Sequence, residues 1–338
     1  MDKDKLLEGK EYDFLRENDN LKNRIILLGL AGSYAYGTNN ENSDIDVRGI
    51  ALNKPSDLIG MTSFEQYVDN NTDTCIYSFN KIIKLLINCN PNTIELLGLK
   101  KEHYLYLNEI GRELIDNRKM FLSKRAIQSF VGYSTAQLRR LENALTRDSY
   151  TQERKEEHIL NSIKSSMYEF NSKYEQYNNG CMKIYIDDAI DTKLEKEIFI
   201  DVHLKHYPLR DYENMLSQMN NIVREYDKTK NKNSKKDDTH LNKHAMHLIR
   251  LYCMAIDILE NEEIITYRDK EHELLMDIRN GVYQKKDRTF SKEFYEIIDE
   301  YKKKLDYAIK NTALPDEPNM NKIEEFVIET NRKSIELG

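Results

Sequence analysis

Two short clusters combine residue types and spacing suited to chemistry. The first is Gly32-Ser33; the second, after ten intervening residues, is Asp44-Ile45-Asp46-Val47. Side chains two apart on an extended segment share a face, so Asp44 and Asp46 are predicted to project together while Ile45 and Val47 enter the core. Two carboxylates on one face repel unless a cation sits between them. Their oxygens suit Mg2+, or Mn2+, which also takes oxygens from a triphosphate. Gly32 allows close backbone approach, and exposed N–H groups with the Ser33 hydroxyl can hold phosphate oxygens. A metal grip beside a phosphate grip is the equipment of phosphoryl or nucleotidyl transfer. A third carboxylate on a neighbouring strand would complete a second metal position and take or orient a proton. Asp73, 27 positions after Asp46, is the candidate, with Asp69 as the fallback. A lone D-x-D is most often a surface turn and a lone G-S means little. Their order here, after one apolar segment and before another, is what carries the reading.

The elements that must position these residues can be outlined from pattern. A short helix is expected over 5–18. The run 25–30 (IILLGL) is short, apolar and ended by Ala31-Gly32-Ser33, which favours a buried strand over a helix. Residues 34–36 begin a brief helix that Gly37 ends, and 39–43 (NNENS) is turn-forming. The segment 44–52 (DIDVRGIAL) alternates polar and apolar residues and reads as a second strand; 73–77 (DTCIY) reads as a third, after an irregular stretch. Residues 80–88 are apolar at helical spacing, and Asn90-Pro91 stops that helix and caps the next. Long amphipathic patterns run over 121–145 and 241–260. Between them, 183–186 (KIYI) and 197–202 (EIFIDV) look like a strand pair, 212–228 returns to helix, and 228–238 (KTKNKNSKKDD) is a charged loop without apolar anchors. The expected class is α+β. A catalytic domain over 1–118 precedes a mainly helical domain over 119–310 that carries an insertion at about 150–240, and a tail or helix spans 311–338.

The stretch GSYAYGTNNENSDIDVRGI resembles the signature of the DNA polymerase beta nucleotidyltransferase superfamily. It is most similar to the bacterial and phage branch of the RNA-repair-pathway type. The segments at 77–97 (YSFNKIIKLLINCNPNTIELL), 121–141 and 243–251 resemble later blocks of that branch. The resemblance implies a small mixed sheet with helices, and Gly32, Ser33, Asp44 and Asp46 as the nucleotide and metal grip. It also implies movement of a nucleoside monophosphate from an NTP, with ATP the expected nucleotide, to an acceptor hydroxyl. An RNA or tRNA end is the acceptor the branch suggests. A protein hydroxyl, a small molecule, or no transfer at all in a nucleotide-binding regulatory module are the alternatives.

Further along, Lys243, His247 and Arg250 recur at i, i+4 and i+7 and so share a helix face. That face can neutralise substrate phosphates, or be a solvated surface with His240, His244 and His247 satisfied locally. A zinc site from those histidines lacks a Cys or acidic partner at a typical spacing. Arg48, on the carboxylate face, can reach a phosphate or pair with Asp46. Lys124, Arg125, Arg139 and Arg140 make one helix locally basic, either tracking a nucleic-acid backbone or forming a charged exterior. Tyr34 and Tyr36 flank the phosphate turn as base platforms or as packing residues.

Bulk composition sets the limits. The 338 residues are 39% hydrophobic and 32% charged, a globular balance rather than a disordered one. A net charge of −7 argues against a protein that coats nucleic acid in general, while leaving room for a local basic patch. The start MDKDKLLEGKEYDF has no charged-then-apolar leader and no run is long enough to span a bilayer, so a cytoplasmic location is expected. Cys75, Cys89, Cys181 and Cys253 form no C-x-x-C pair and are expected as reduced thiols.

Overall fold

The computed structural model of the chain describes residues 3–149, 182–190, 195–203 and 238–337, with isolated positions at 156–157, at 160 and between 205 and 220. The chain divides into two compact units. The first comprises Met1–Gln137, Ala245–Tyr283 and Lys292–Gly338; the second comprises Leu138–His244 and Gln284–Ser291.

The first unit is built on a mixed five-stranded sheet in the order β3-β4-β2-β1-β5. Strand β1 (Ile25–Leu30) pairs antiparallel with β2 (Val47–Ala51) and with β5 (Tyr104–Leu107). Strand β2 runs parallel to β4 (Thr74–Ser78), which pairs antiparallel with β3 (Gln66–Asp69). The continuous apolar run of β1 is covered on both faces: Ile26 and Leu27 are fully buried, as are Ile50 of β2 and Ile76 of β4. That is the behaviour of a central strand, whose faces both meet packed elements.

Helix α1 (Lys3–Glu8) and helix α2 (Phe14–Glu17) replace the single helix expected over 5–18. Gly9 takes an extended ψ of 147° between them, and a 3-10 turn follows. Glycine is costly inside a helix, and the break lets Tyr12 and Leu15 both reach the core. Helix α3 (Gly32–Tyr36) follows β1 directly. Its last turn closes on Gly37, whose left-handed φ of 72° lets its N–H return to the Ser33 and Tyr34 carbonyls.

A short α4 (Pro55–Leu58) precedes β3, and α5 (Phe79–Ile87) follows β4 with the Ser78 side chain as its cap. Asn90 and Pro91 start α6 (Pro91–Ile94) as the sequence predicts. Then come α7 (Glu109–Asp116) and the long α8 (Arg125–Ser149). Among the described residues the remaining helices are α9 (Asp238–Asn261), α10 (His272–Arg279), α11 (Lys292–Asn311) and α12 (Met320–Glu336).

Helix α12 is tied into the first unit. Phe326 meets Phe79 edge-on at 5.8 Å, Ser334 Oγ donates to the Asn53 carbonyl at 2.6 Å, and Asn331 donates to Asn80 at 3.1 Å.

In the second unit, β6 (Met182–Asp188) and β7 (Lys196–Val202) pair antiparallel from Met182↔Val202 to Asp188↔Lys196. This is the strand pair read at 183–186 and 197–202. The helix expected at 212–228 lies outside the described residues apart from isolated positions, as does the loop expected at 228–238 apart from its last residue. Cys75, Cys89 and Cys253 are free and buried, whereas Cys181 is outside the described residues. Among the described residues no helix is long and apolar enough to cross a membrane.

Candidate active site

The bend after β1 and the acidic segment before β2 meet. Gly32 has a φ of 55°, a left-handed conformation that L side chains rarely adopt, and a Cβ there would overlap the carboxylate of Asp46. Glycine is therefore required twice at one position, for its backbone angle and for the carboxylate seated on its α-carbon. The Asp46 backbone is fixed as well, because the Ala31 N–H donates to its carbonyl at 2.9 Å. Regular strand begins only at Val47, so Asp44 and Asp46 precede β2 rather than lie within it.

Asp44 is exposed and Asp46 is half-buried. Burial raises the Asp46 pKa, and the charges of Asp73 and Asp44 push it the same way, against Arg48 and Arg250. Asp73 immediately precedes β4, on the strand that runs parallel beside β2, and its φ is 45°. Its carbonyl accepts from the Val47 N–H at 3.3 Å and from Arg48 Nη1 at 2.8 Å. Arg48 Nη1 also donates to the Val47 carbonyl at 3.1 Å, so this guanidinium ties the starts of the two strands together. Asp69 is otherwise engaged. Its Oδ1 accepts from the N–H groups of Asn71 and Thr72 and from the Thr72 hydroxyl, at 2.9–3.0 Å, closing the β3–β4 turn.

The loop from Thr38 to Ser43 is held from two sides. Asn40 and Ser43 bond each other through side chain and backbone at 2.8–3.0 Å. The buried Arg279 donates to the Thr38 carbonyl and, at 2.9 Å, to Ser43 Oγ. This fixes the chain where it enters Asp44.

Ser33 and Tyr34 are half-buried in the first turn of α3, whose opening N–H groups have no intrahelical acceptor. Tyr36 is a core residue. Its hydroxyl donates to Glu95 Oε2 at 2.5 Å, and the Arg250 guanidinium lies 3.6 Å from its ring centroid. Glu95 is buried; burial raises its pKa and the Asp46 charge adds to the rise, whereas Arg250, the Tyr36 bond and Arg48 oppose it. Arg250 is also buried, with Nη2 3.3 Å from His247 Nδ1. Spacing alone does not single out Glu95, since it lies 49 positions after Asp46 and its only sequence mark is the E-L-L pattern.

Of the basic positions read from sequence, Arg48, His247 and Arg250 share the first unit with the acids. Lys243 and His244 are half-buried and His240 is exposed, all three in the second unit. Lys124 pairs with Asp316 at 2.8 Å and Arg125 pairs with Glu317, so the basic start of α8 is neutralised locally. Arg139 and Arg140 are exposed.

Among the described residues no three His, Cys, Asp or Glu side chains converge into a ready-made metal cage. Mg2+ does not demand one. It keeps several waters and takes one or two protein carboxylates together with substrate phosphates. Asp46, half-buried against Gly32 and within reach of the charges of Asp73 and Asp44, offers the hard carboxylate oxygens that fit such an ion.

No curated protein and no solved structure matches the chain. Residues 10–170 match the model of a family described as the RNA repair pathway DNA polymerase beta family. That match takes in Gly32, Asp44, Asp46, Asp73 and Glu95, and it supports a DNA polymerase beta-type nucleotidyltransferase branch.

Proposed function

We propose that the chain moves a nucleoside monophosphate from a nucleoside triphosphate, with ATP the expected nucleotide, to an acceptor hydroxyl on an RNA or tRNA end. Pyrophosphate is the second product. The observation that carries this reading is the Asp46 carboxylate seated on the α-carbon of Gly32, which joins the acid to the phosphate-cradling bend. The RNA acceptor rests on the family description.

Asp44 and Asp46 are the ligands for Mg2+, or Mn2+, with Asp73 as the third carboxylate. When bound, the ion polarises the phosphate oxygens and offsets the charge that develops on them. Gly32 and Ser33 hold triphosphate oxygens through the opening amides of α3. Arg250, with His247 behind it, supplies positive charge to the phosphates. Arg48 keeps the two strand starts in register, so its part is to hold Asp46 and Asp73 side by side. No role is assigned to Lys243. The acceptor oxygen bonds to the α-phosphorus, the bond from that phosphorus to the bridging oxygen breaks, and the hydroxyl proton passes to the Asp73 carboxylate.

The test is incubation of the native chain and an Asp44→Asn, Asp46→Asn double variant with each α-labelled NTP and total cellular RNA and protein. Label is expected in RNA, and the double variant should lose it by on the order of a thousandfold or more while remaining folded. Full labelling by the double variant would remove the mechanism. Label in protein would move the acceptor to a protein hydroxyl. Binding of ATP with no label anywhere would leave a nucleotide-binding regulatory module.

A further inference from the structure

We propose that Tyr36 and Glu95 are a positioning pair that sets the Arg250 guanidinium as the contact for the outer phosphates of the bound triphosphate; this rests on the transfer reading above. Tyr36 closes the same one-turn helix that opens with Gly32 and Ser33. Its ring is held by the backbone at one end and by the hydroxyl bond to Glu95 at the other, with Met254 Sδ 3.8 Å from the same hydroxyl. The Arg250 guanidinium carbon stands over that ring, 3.6 Å from its centroid, a position favoured by the ring's negative face.

Arg250 is only 8% exposed, yet its Nε has no hydrogen-bond partner among the described residues. A buried donor without an acceptor is costly, and a buried guanidinium more so. Its planar fork is shaped for phosphate or carboxylate oxygens. The charge of Arg250 acts on Asp46, so the unfilled donor stands near the acid that sits on the bend. Arg48, whose charge also acts on Asp46, is occupied by the Asp73 and Val47 carbonyls. Reaction at the α-phosphorus belongs to the carboxylates, and the departing pyrophosphate needs a positive partner of its own. Arg250, with its Nε donor still open, is that partner, and Glu95 acts on it through the bond to Tyr36 and through its own nearby charge.

Calorimetric titration of the full chain with Mg2+ and α,β-methylene-ATP, and separately with AMP, tests this. Arg250→Gln and Tyr36→Leu should each weaken the triphosphate analogue by about 10- to 100-fold and leave AMP within about twofold. The Tyr36→Leu, Arg250→Gln double variant should bind no more weakly than Arg250→Gln alone, because the shelf has no purpose without the arginine. Tyr36→Phe and Glu95→Gln, which spare the ring, should give smaller losses that also fail to multiply. They carry the test if Tyr36→Leu does not fold. Equal loss of AMP and analogue, or losses that multiply in the double variants, would overturn the pairing. A folded native chain that binds no triphosphate would instead bring down the transfer reading itself.

Discussion

Asp46 carries opposed demands. Burial, Asp73 and Asp44 all favour its neutral form, and Arg48 and Arg250 only partly oppose them. Its folded pKa therefore lies above the unfolded one, and between the two values the native state holds the extra proton. The stability tied to that proton is fully present below the ordinary carboxylate range and is lost as pH rises through the raised value. At neutral pH the ionised Asp46 is thus a destabilising residue until a cation binds. Asp46→Asn is expected to melt roughly 1–3 °C higher than the native chain at pH 7 in chelator, with the gain shrinking as pH falls through the carboxylate range and Asp46 takes up its proton. A variant that melts lower at pH 7 would show that Arg48 and Arg250 outweigh burial. At this scale the bend at Gly32 was legible because bend chemistry is a local rule, as was the packing role open to Tyr36, whereas strand parity placed Asp44 and Asp46 on a strand that begins only at Val47. The bonds made by Glu95, by the Tyr36 hydroxyl and by Arg279 were not legible, because their partners lie far away in sequence and only the closed fold brings them together.

The β3–β4 hairpin separates two acids four residues apart by what their oxygens do. Asp69 spends Oδ1 on two backbone N–H groups and a hydroxyl within its own turn. Asp73 lends the sheet only its carbonyl and keeps its exposed side chain beside β2. Asp69→Ala is expected to cost about 1–2 kcal/mol of stability and to leave transfer within a few-fold of native. Asp73→Asn, which tolerates the same left-handed φ, should keep stability and lose most transfer. Denaturant midpoints and label incorporation on both variants decide the matter; the reverse pattern would make Asp69 the third carboxylate. Strand β1 was readable as an unbroken apolar run, α5 by its apolar residues at helical spacing, and α6 by its Asn90 cap. β3 and β5 were not, for they are four-residue edge strands whose half-exposed faces leave little pattern. The predicted strand over 44–52 began three residues early, because alternation alone does not reveal that the Asp46 carbonyl turns to meet the Ala31 N–H.

On the scale of the molecule, the first unit draws on three separated segments of chain, and the family match at 10–170 covers only the first of them. The later segments supply partners that the first segment does not provide for itself. Arg279 donates to the Thr38 carbonyl, the Arg268 N–H donates to the Tyr36 carbonyl at 3.3 Å, and Thr266 Oγ1 donates to the Glu95 carbonyl at 2.7 Å. Arg268 is itself buried against Asp257, and Phe326 closes over Phe79. Each buried group stripped of its partner costs about 1–3 kcal/mol, against a total of about 5–15 kcal/mol for a folded domain. Arg250 would also be missing, leaving Glu95 buried without its main opposing charge. A fragment of residues 1–170 is therefore expected to show no cooperative thermal transition by circular dichroism and to bind a hydrophobic dye, whereas the full chain melts in a defined step. A fragment that melts cooperatively near the full chain's temperature would mean that the five-stranded sheet is self-sufficient. The helices after residue 245 would then be additions to the site rather than part of the structure that builds it.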